Sequence, residues 1–423
     1  MKFLLLYKGD FGSTLRGPEL RYHSLATSLI NFGNDVYLCG ISGDEKGIPY
    51  KANFVSVSKL VKLMKIFFDS DVIIIHGGGP FIMLLASIAG FLGKSIILDC
   101  YVPHWVELDE IVKKSKSNKL KLLIKSYFNV ARSFFGVVFF NAVIVANQRQ
   151  LDLMRGMMAP FWSTHEFSRI HIIPFGCDEI ATNDFQDNSR VLLGKLAGEE
   201  FSKSDFLIGW LGGAYGWFDM DAVIEAASKA IKENNHIKLI LFGVDNVAKN
   251  EIVSKLPDYA RANVFFLPWV DFSKRMEYWA GFDISLVWGG EGYENDYASR
   301  TRNFDCLTLG LPIIQNKDSE WGVRLDHSGA GKATTLENLP STLVELSHSP
   351  DTVNSMRRAM EKLAAGFYWH KSANKLLEII PITKMGFIRR LFGFSVFLLV
   401  LPAFFVSALF VLISYLIKKA VKR

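Results

Sequence analysis

Short apolar runs alternate with longer amphipathic stretches along this chain, and the alternation is interrupted once and then begins again. Lys2–Tyr7 is apolar enough for a buried strand, Glu19–Phe32 repeats Leu20, Leu25 and Leu29 at helical spacing, and Asp35–Cys39 is a second strand. Val72–His76, Phe81–Leu92 and Ile96–Asp99 repeat the order strand, helix, strand, and Val143–Ala146 and His171–Ile173 add later strands. This rhythm predicts a parallel sheet with right-handed crossovers. The polar stretch Thr182–Ser189 breaks it and reads as a linker. Beyond it come strands at Phe206–Leu211, Ile237–Phe242, Val264–Leu267, Ile284–Val287 and Pro312–Gln315, with helices at Asp219–Asn234, Phe272–Ala280 and Arg302–Leu309. At 423 residues the chain exceeds what one hydrophobic core usually supports. The fold class expected is α/β, with two doubly wound, Rossmann-like domains at 1–183 and 190–365. Residues 366–382 are expected to form a helix packing back on the first domain, and 386–423 a membrane anchor with a basic tail.

The anchor is read from Leu391–Ile417, which holds no charged residue. At about 1.5 Å per residue such a run outreaches the roughly 30 Å hydrocarbon core. Arg389 and Arg390 precede it, and Lys418, Lys419, Lys422 and Arg423 follow; the positive-inside tendency keeps both flanks cytoplasmic. Pro402 permits a break, so a re-entrant or in-plane helical pair competes with a span. Between Ile111 and Phe140, lysines and Arg132 interleave with leucines and phenylalanines, as in a helix lying on an anionic membrane; a basic loop beside a core helix is the equal alternative. The net charge of +6 is small and its clusters flank apolar stretches, which points to a membrane surface and away from nucleic acid. Half the residues are hydrophobic, which excludes a wholly disordered chain. Cys39, Cys100, Cys177 and Cys306 are widely spaced and fit buried free thiols in a reducing compartment, with neither a disulfide framework nor a metal pair. Met1–Tyr7 has no basic flank or small-residue cleavage site, and reads as a strand, not a signal peptide.

Three motifs carry candidate chemistry. Gly9–Arg21, with Gly17 inside it, joins a strand to a helix; such a turn lets backbone amides and a helix N-terminus approach an anion. Its spacing fits neither a dinucleotide fingerprint nor a phosphate-binding loop, and a plain flexible loop explains it equally well. Gly209–Asp221 places Gly212 and Gly213 at a strand's exit, with Asp219 or Asp221 able to cap the next helix. The third runs through Gly289-Gly290-Glu291 and Tyr297–Pro312. Read as a helix, it sets Arg302 and Asp305 three residues apart on one face, with Arg300 just before. A diphosphate needs fixed positive charge, and a ribose needs a carboxylate to accept from its hydroxyls. An exposed ion pair of little energetic weight is the alternative.

In their order these features resemble the family 4 retaining glycosyltransferases of the GT-B fold, in which two such domains face a cleft. Gly17-Pro18-Glu19-Leu20-Arg21 is similar to the family's N-terminal loop and helix, Pro174-Phe175-Gly176-Cys177-Asp178 to its interdomain signature, and Phe304–Pro312 to the second half of its donor motif. The resemblance covers nearly all of residues 1–380 and implies that Asp305 holds a nucleotide ribose. Tyr297 stands where the family has a first glutamate, for which Glu291 or Glu294 substitutes after a shift of the loop. The Arg and Lys that the family carries after the Gly212 strand are missing from Ala214–Asp221, so Arg300 and Arg302 take over the diphosphate. The donor set expected is therefore Gly212, Gly213, Glu291, Arg300, Arg302 and Asp305, with Gly17 near the donor phosphate or acceptor. His76, His104 and Glu107 are the catalytic candidates in the first domain. The resemblance further implies front-face transfer assisted by the leaving diphosphate, a nucleotide diphosphate sugar as co-substrate, and no cofactor or metal. A polyprenyl-linked glycan acceptor at the cytoplasmic face of a membrane fits the basic and apolar stretches. An epimerase or phosphorylase on the same scaffold, and an inert membrane-bound partner that binds a nucleotide sugar or glycan, are the rivals.

Overall fold

The computed structural model describes the chain apart from residues 13–14, 78, 103, 115–118, 121, 125, 128–129, 131–139, 160–163, 180–185, 214–216, 291, 383 and 422–423, and apart from some side chains, most of them in the C-terminal helix. The chain divides into two compact units, Met1–Phe175 with Trp369–Arg423, and Gly176–Tyr368.

Among the described residues the first unit holds nine strands: β1 (Lys2–Tyr7), β2 (Asp10–Phe11), β3 (Asp35–Gly40), β4 (Ser42–Gly43), β5 (Asn53–Ser56), β6 (Val72–His76), β7 (Ser95–Asp99), β8 (Ala142–Val145) and β9 (Ile170–Ile172). Seven form one sheet in the order β5-β3-β1-β6-β7-β8-β9, all neighbours parallel, while β2 and β4 pair separately. Leu5 lies between Leu38 and Ile74 in register, and β6, β7 and β8 are buried along their whole length. Strands covered by helices on both faces read as unbroken Val, Ile and Leu, which is why periodicity of two is absent here. The sheet order reverses between β1 and β6, so the turns leaving these two strands bound a crevice at their carboxyl ends.

The crossing to the second unit comes before the polar linker stretch, since the backbone N–H of Cys177 donates to Phe367 O (2.9 Å) and that of Asp178 to Thr308 Oγ1 (3.2 Å). After Tyr368 the helix Trp369–Ile382 rejoins the first unit: Trp369 packs on Phe175 with ring centroids 4.8 Å apart, and Ser372 Oγ donates to Pro174 O.

The helix Phe387–Val421 continues through Pro402, so the break that this proline permits is not taken; one backbone donor is lost without ending the helix. Its first turns pack on the helix Pro80–Phe91: Phe394 stacks on Phe91 at 5.2 Å, Arg390 Nη1 donates to Phe91 O (2.9 Å), and Phe397 is fully buried in the first unit's core. The other side is bare, with Ile388 82% and Leu399 81% exposed. Among the described residues no helix is long and apolar enough to cross a membrane. The span expected over Leu391–Ile417 has no counterpart among them; one side of its first half packs on the protein's own core, and the side chains at 400, 403, 404, 407, 408 and 410–417 lie outside the described residues.

The second unit holds β10 (Phe206–Trp210), β11 (Ile237–Phe242), β12 (Val264–Leu267), β13 (Ile284–Val287), β14 (Ile313–Asn316) and β15 (Gly331–Thr334) in a parallel sheet of order β12-β11-β10-β13-β14-β15. The chain moves outward from β10 to β12 and crosses back to β13, so the order reverses between β10 and β13. Trp210, Leu239, Leu241 and Leu286 are fully buried between the sheet and helices such as Met220–Glu233. All four cysteines are buried and none is joined to another by a disulfide; burial pushes the Cys39 and Cys306 thiols up to about 12.

Candidate functional site

In the second unit, the glycine turns leaving β10 and β13 meet at the point where the strand order reverses. Such a point is where open α/β sheets take ligands. Gly212 has φ +107, a conformation that a Cβ makes costly, and Gly213 follows it. Residues 214–216 lie outside the described ones. Trp217 and Phe218 tie the two turns together: Phe218 bridges Gly289, and the Gly290 N–H donates to Trp217 O (3.0 Å). Asn316, ending β14, clamps Gly289 from the other side, accepting from its N–H (2.7 Å) and donating to its carbonyl (3.1 Å). Asp219 caps the helix Met220–Glu233 by accepting from the Ala222 N–H (3.2 Å), as an N-cap aspartate does.

Arg300 and Arg302 flank this junction from the segment that enters the helix Thr301–Leu309. Arg300 is buried. It donates to the Glu294 carboxylate and to Asn295 Oδ1 (3.2 Å), and its guanidinium lies 5.1 Å from the Phe218 ring. Arg302 donates to Gly213 O and lies on the faces of Phe218 (4.1 Å) and Trp210 (4.5 Å), where the negative face of an aromatic ring favours a cation. Arg302 therefore reaches the strand exit that carries Gly212 and Gly213, while Glu294 offsets the charge of Arg300. Glu291 lies outside the described residues.

Asp305 does not pair with Arg302, the neighbour that an i,i+3 spacing offers. Arg302 turns toward β10, whereas Asp305 faces the helix Arg275–Trp279, and its Oδ1 accepts from Arg275 Nε (3.3 Å) and Nη2 (3.0 Å). Both bonds fall on the same oxygen, so Oδ2 keeps its capacity to accept from a ligand hydroxyl. Burial pushes the Asp305 carboxyl above the usual carboxylate range, and the opposing pull of Arg275 does not overcome it. Arg275 is in turn fixed by stacking on Phe272 (3.8 Å) and by donating from Nη1 to Phe272 O (2.7 Å). Sequence reasoning missed Arg275, since nothing in a spacing links it to a residue thirty positions later. It also missed Asn303, which is fully buried with neither amide atom hydrogen-bonded among the described residues.

In the first unit a second cluster sits at the β1/β6 reversal. His76, ending β6, is buried, with Nδ1 2.9 Å from Asp99 O; a carbonyl only accepts, so the bond places a proton on Nδ1. The rings of Tyr7, Tyr101 and Tyr22 surround it at 5.3, 5.1 and 6.3 Å. The Tyr7 hydroxyl is pushed up by burial, then by the charges of Glu19 and of Glu107, which lies on the helix His104–Lys114. The side chain of His104 lies outside the described residues. Gly17 opens the helix Gly17–Asn31, whose third residue, Glu19, is buried with Oε2 lacking a partner among the described residues and its carboxyl raised by burial. Arg21, on the same helix, is fully buried: Nε donates to Asp99 Oδ2 (2.8 Å), Nη2 to Ile173 O and Nη1 to Pro174 O (3.0 Å each). Among the described residues, no three of His, Cys, Asp and Glu are grouped to hold a metal ion.

No family profile matches the chain, and no curated protein matches it in sequence. Solved structures do. WaaG, a glycosyltransferase involved in lipopolysaccharide biosynthesis, superposes with a TM-score of 0.63 at 16% identity, over 90% of this chain and 99% of that one. Anabaena HepE, in complex with UDP-glucose, gives 0.62 at 14% identity over 90% and 99%. The chain has the GT-B fold. The sucrose-phosphate synthase of Thermosynechococcus elongatus shares it, with a TM-score of 0.55 at 13% identity over 89% and 98%. At such identities the GT-B likeness fixes the path of the backbone and leaves the reaction to be argued from the site.

Proposed function

We propose that this chain is a retaining glycosyltransferase that moves a sugar from a nucleotide diphosphate sugar to a lipid-linked or surface glycan at the cytoplasmic face of a membrane. The observation that carries the reading is the β10/β13 junction, where Gly212, Gly213 and the buried Arg302 meet at the carboxyl ends of a parallel sheet. A departing diphosphate carries charge that has to be met by donors already in place. Arg302 and the amides of the two glycine turns are suited to that task. Asp305 Oδ2 suits a ribose hydroxyl, and Glu294, which grips Arg300, takes the place of one glutamate of the family's donor motif. His76 and Glu107 are the candidates for orienting the acceptor hydroxyl.

The membrane part of the proposal rests on the helix Phe387–Val421. It carries no charge over Leu391–Ile417, and among the described side chains of that run Leu391, Phe392, Leu398, Leu399, Phe405, Val406 and Leu409 are exposed. Such a helix needs a nonaqueous neighbour on its bare face. A polyprenyl-linked acceptor would then be presented at the same surface. One observation favours a second reading, an inert nucleotide-sugar binding partner: Arg300 is already neutralised by Glu294, and Ala214–Asp221 supplies no cation.

A thermal-shift screen of the full chain against uridine, guanosine, thymidine and adenosine diphosphate sugars tests the donor class. Release of nucleoside diphosphate from the stabilising donor in the presence of lipid-linked acceptors, lost in Asp305→Ala and Arg302→Ala, is the expected outcome. Tight donor binding with no turnover on any lipid acceptor selects the inert partner instead.

A further inference from the structure

Trp269 lies just beyond β12, after Leu267 and Pro268, and is 54% exposed. Among the described residues it is the only tryptophan with so much of its ring in water. An indole left bare forgoes the stabilisation that burying a large apolar side chain brings, so its exposure calls for an account.

The ring is held in place. A Cβ on Gly243, at the exit of β11, would lie 2.6 Å from Cε2, 2.9 Å from Cζ2 and 3.0 Å from Cδ2 of Trp269, so the face of the indole rests on a glycine that no larger residue can replace. Gly243 also has φ +67, and its N–H donates to Leu267 O (3.1 Å), which ties the two strand exits together beneath the ring. One edge of the indole reaches the candidate site: a Cβ on Gly212 would lie 3.8 Å from Trp269 Cη2 and 3.5 Å from Arg302 Nε. Indole and guanidinium thus border the same glycine. A flat aromatic surface extends from the point where a diphosphate would be held, outward across the exits of β11 and β12.

We propose that Trp269 is the stacking platform for the nucleobase of the donor, an inference that rests on the nucleotide-sugar reading above. The ligand it takes is a nucleoside diphosphate, with its phosphates at Gly212, Gly213 and Arg302 and its base on the open face of the indole. Stacking on a tryptophan is tolerant of base identity, because every base has a π-face. Trp269 therefore contributes affinity for nucleotides as a class, and the choice among bases falls to other groups.

The test titrates the full chain and its Trp269→Ala and Trp269→Phe variants with uridine, guanosine, thymidine and adenosine diphosphates, and separately with inorganic pyrophosphate, by calorimetry. Intrinsic fluorescence is followed in parallel. In the wild-type protein a bound nucleotide quenches tryptophan emission and pyrophosphate does not. Trp269→Ala is expected to weaken nucleoside diphosphate binding about 10-fold or more, to abolish the quench and to leave pyrophosphate binding unchanged, while Trp269→Phe restores most of the affinity. Thermal unfolding at the wild-type temperature confirms that the exposed variant is folded. Unchanged nucleotide affinity in Trp269→Ala, or an equal loss for pyrophosphate, overturns the inference and leaves the nucleotide-sugar reading standing. A wild-type protein that binds none of the four diphosphates overturns both.

Discussion

Replacing Arg275 by Met tests whether Asp305 is held by a buried ion pair or merely sits near one. The guanidinium and carboxylate are 11% and 12% exposed and joined through Nε and Nη2, so removing the cation leaves a carboxylate desolvated with no charge to offset it. Breaking such a pair from one side costs about 3 to 5 kcal/mol. Slight residual exposure places this case near the bottom, at about 3 kcal/mol. The change also removes the Nη1 bond to Phe272 O, worth about 1 kcal/mol. Acid should soften the defect. Burial already raises the Asp305 carboxyl with Arg275 present, and without Arg275 the rise is larger. A carboxyl raised in the folded state binds its proton more tightly than in the unfolded chain. Its contribution to stability is thus full below the ordinary pKa of about 3.9 and is lost as pH rises through the raised one. Urea unfolding of the second unit near pH 7 should therefore show the full deficit, and the same measurement near pH 5 a smaller one. Adding Asp305→Asn should cost less than the two single changes summed, with a coupling of about 1.5 kcal/mol or more. A loss below about 1 kcal/mol, equal at both pH values and additive with Asp305→Asn, would refute the reasoning.

Two further outcomes follow from the packing. Arg21→Leu strands the Asp99 carboxylate and the carbonyls of Ile173 and Pro174 in the first unit's interior, and should lower its unfolding free energy by about 4 kcal/mol in denaturant titration. Gly289→Ala puts a methyl group into Asn295 Oδ1 and Arg300 Nη2; overpacking of about 1 to 3 kcal/mol and a lost thermal-shift response to the stabilising nucleotide sugar are expected, against an unaltered response if the junction is not the donor site.

The buried parallel strands were the most legible part of the sequence, because a strand covered on both faces has to be a solid apolar run: Val72–His76 was read with the bounds it has, and Phe206–Leu211 ends one residue past β10. The edges were not. Asn53–Ser56 and Gly331–Thr334 are short, half-exposed and poor in β-branched residues, and nothing in their local pattern marks them as strands. At the site, glycine turns at strand exits were visible as Gly212-Gly213 and Gly289-Gly290, since strand-to-helix turns advertise themselves by composition. The partners were not: Asp305 and Arg275, or Arg21 and Asp99, are joined by sheet order and helix placement that no local spacing encodes. The apolar run from Leu391 was legible as apolar, but its use of one face against the helix Pro80–Phe91 depends on Phe394 meeting Phe91 and on Phe397 entering the core, which are tertiary facts.

The discontinuity of the first unit bears on how the chain is made. Gly176–Tyr368 is a single uninterrupted stretch, able to close its own sheet as it leaves the ribosome, since domains generally fold as units. The first unit, though begun earlier, waits for Trp369 and the helix beyond it: until then Phe175 packs on Tyr101 without the Trp369 ring, and the groove that will receive Phe397 stands open. The half synthesised first is thus completed second, and throughout translation of the middle of the chain its unfinished apolar surface is what a chaperone would have to shield.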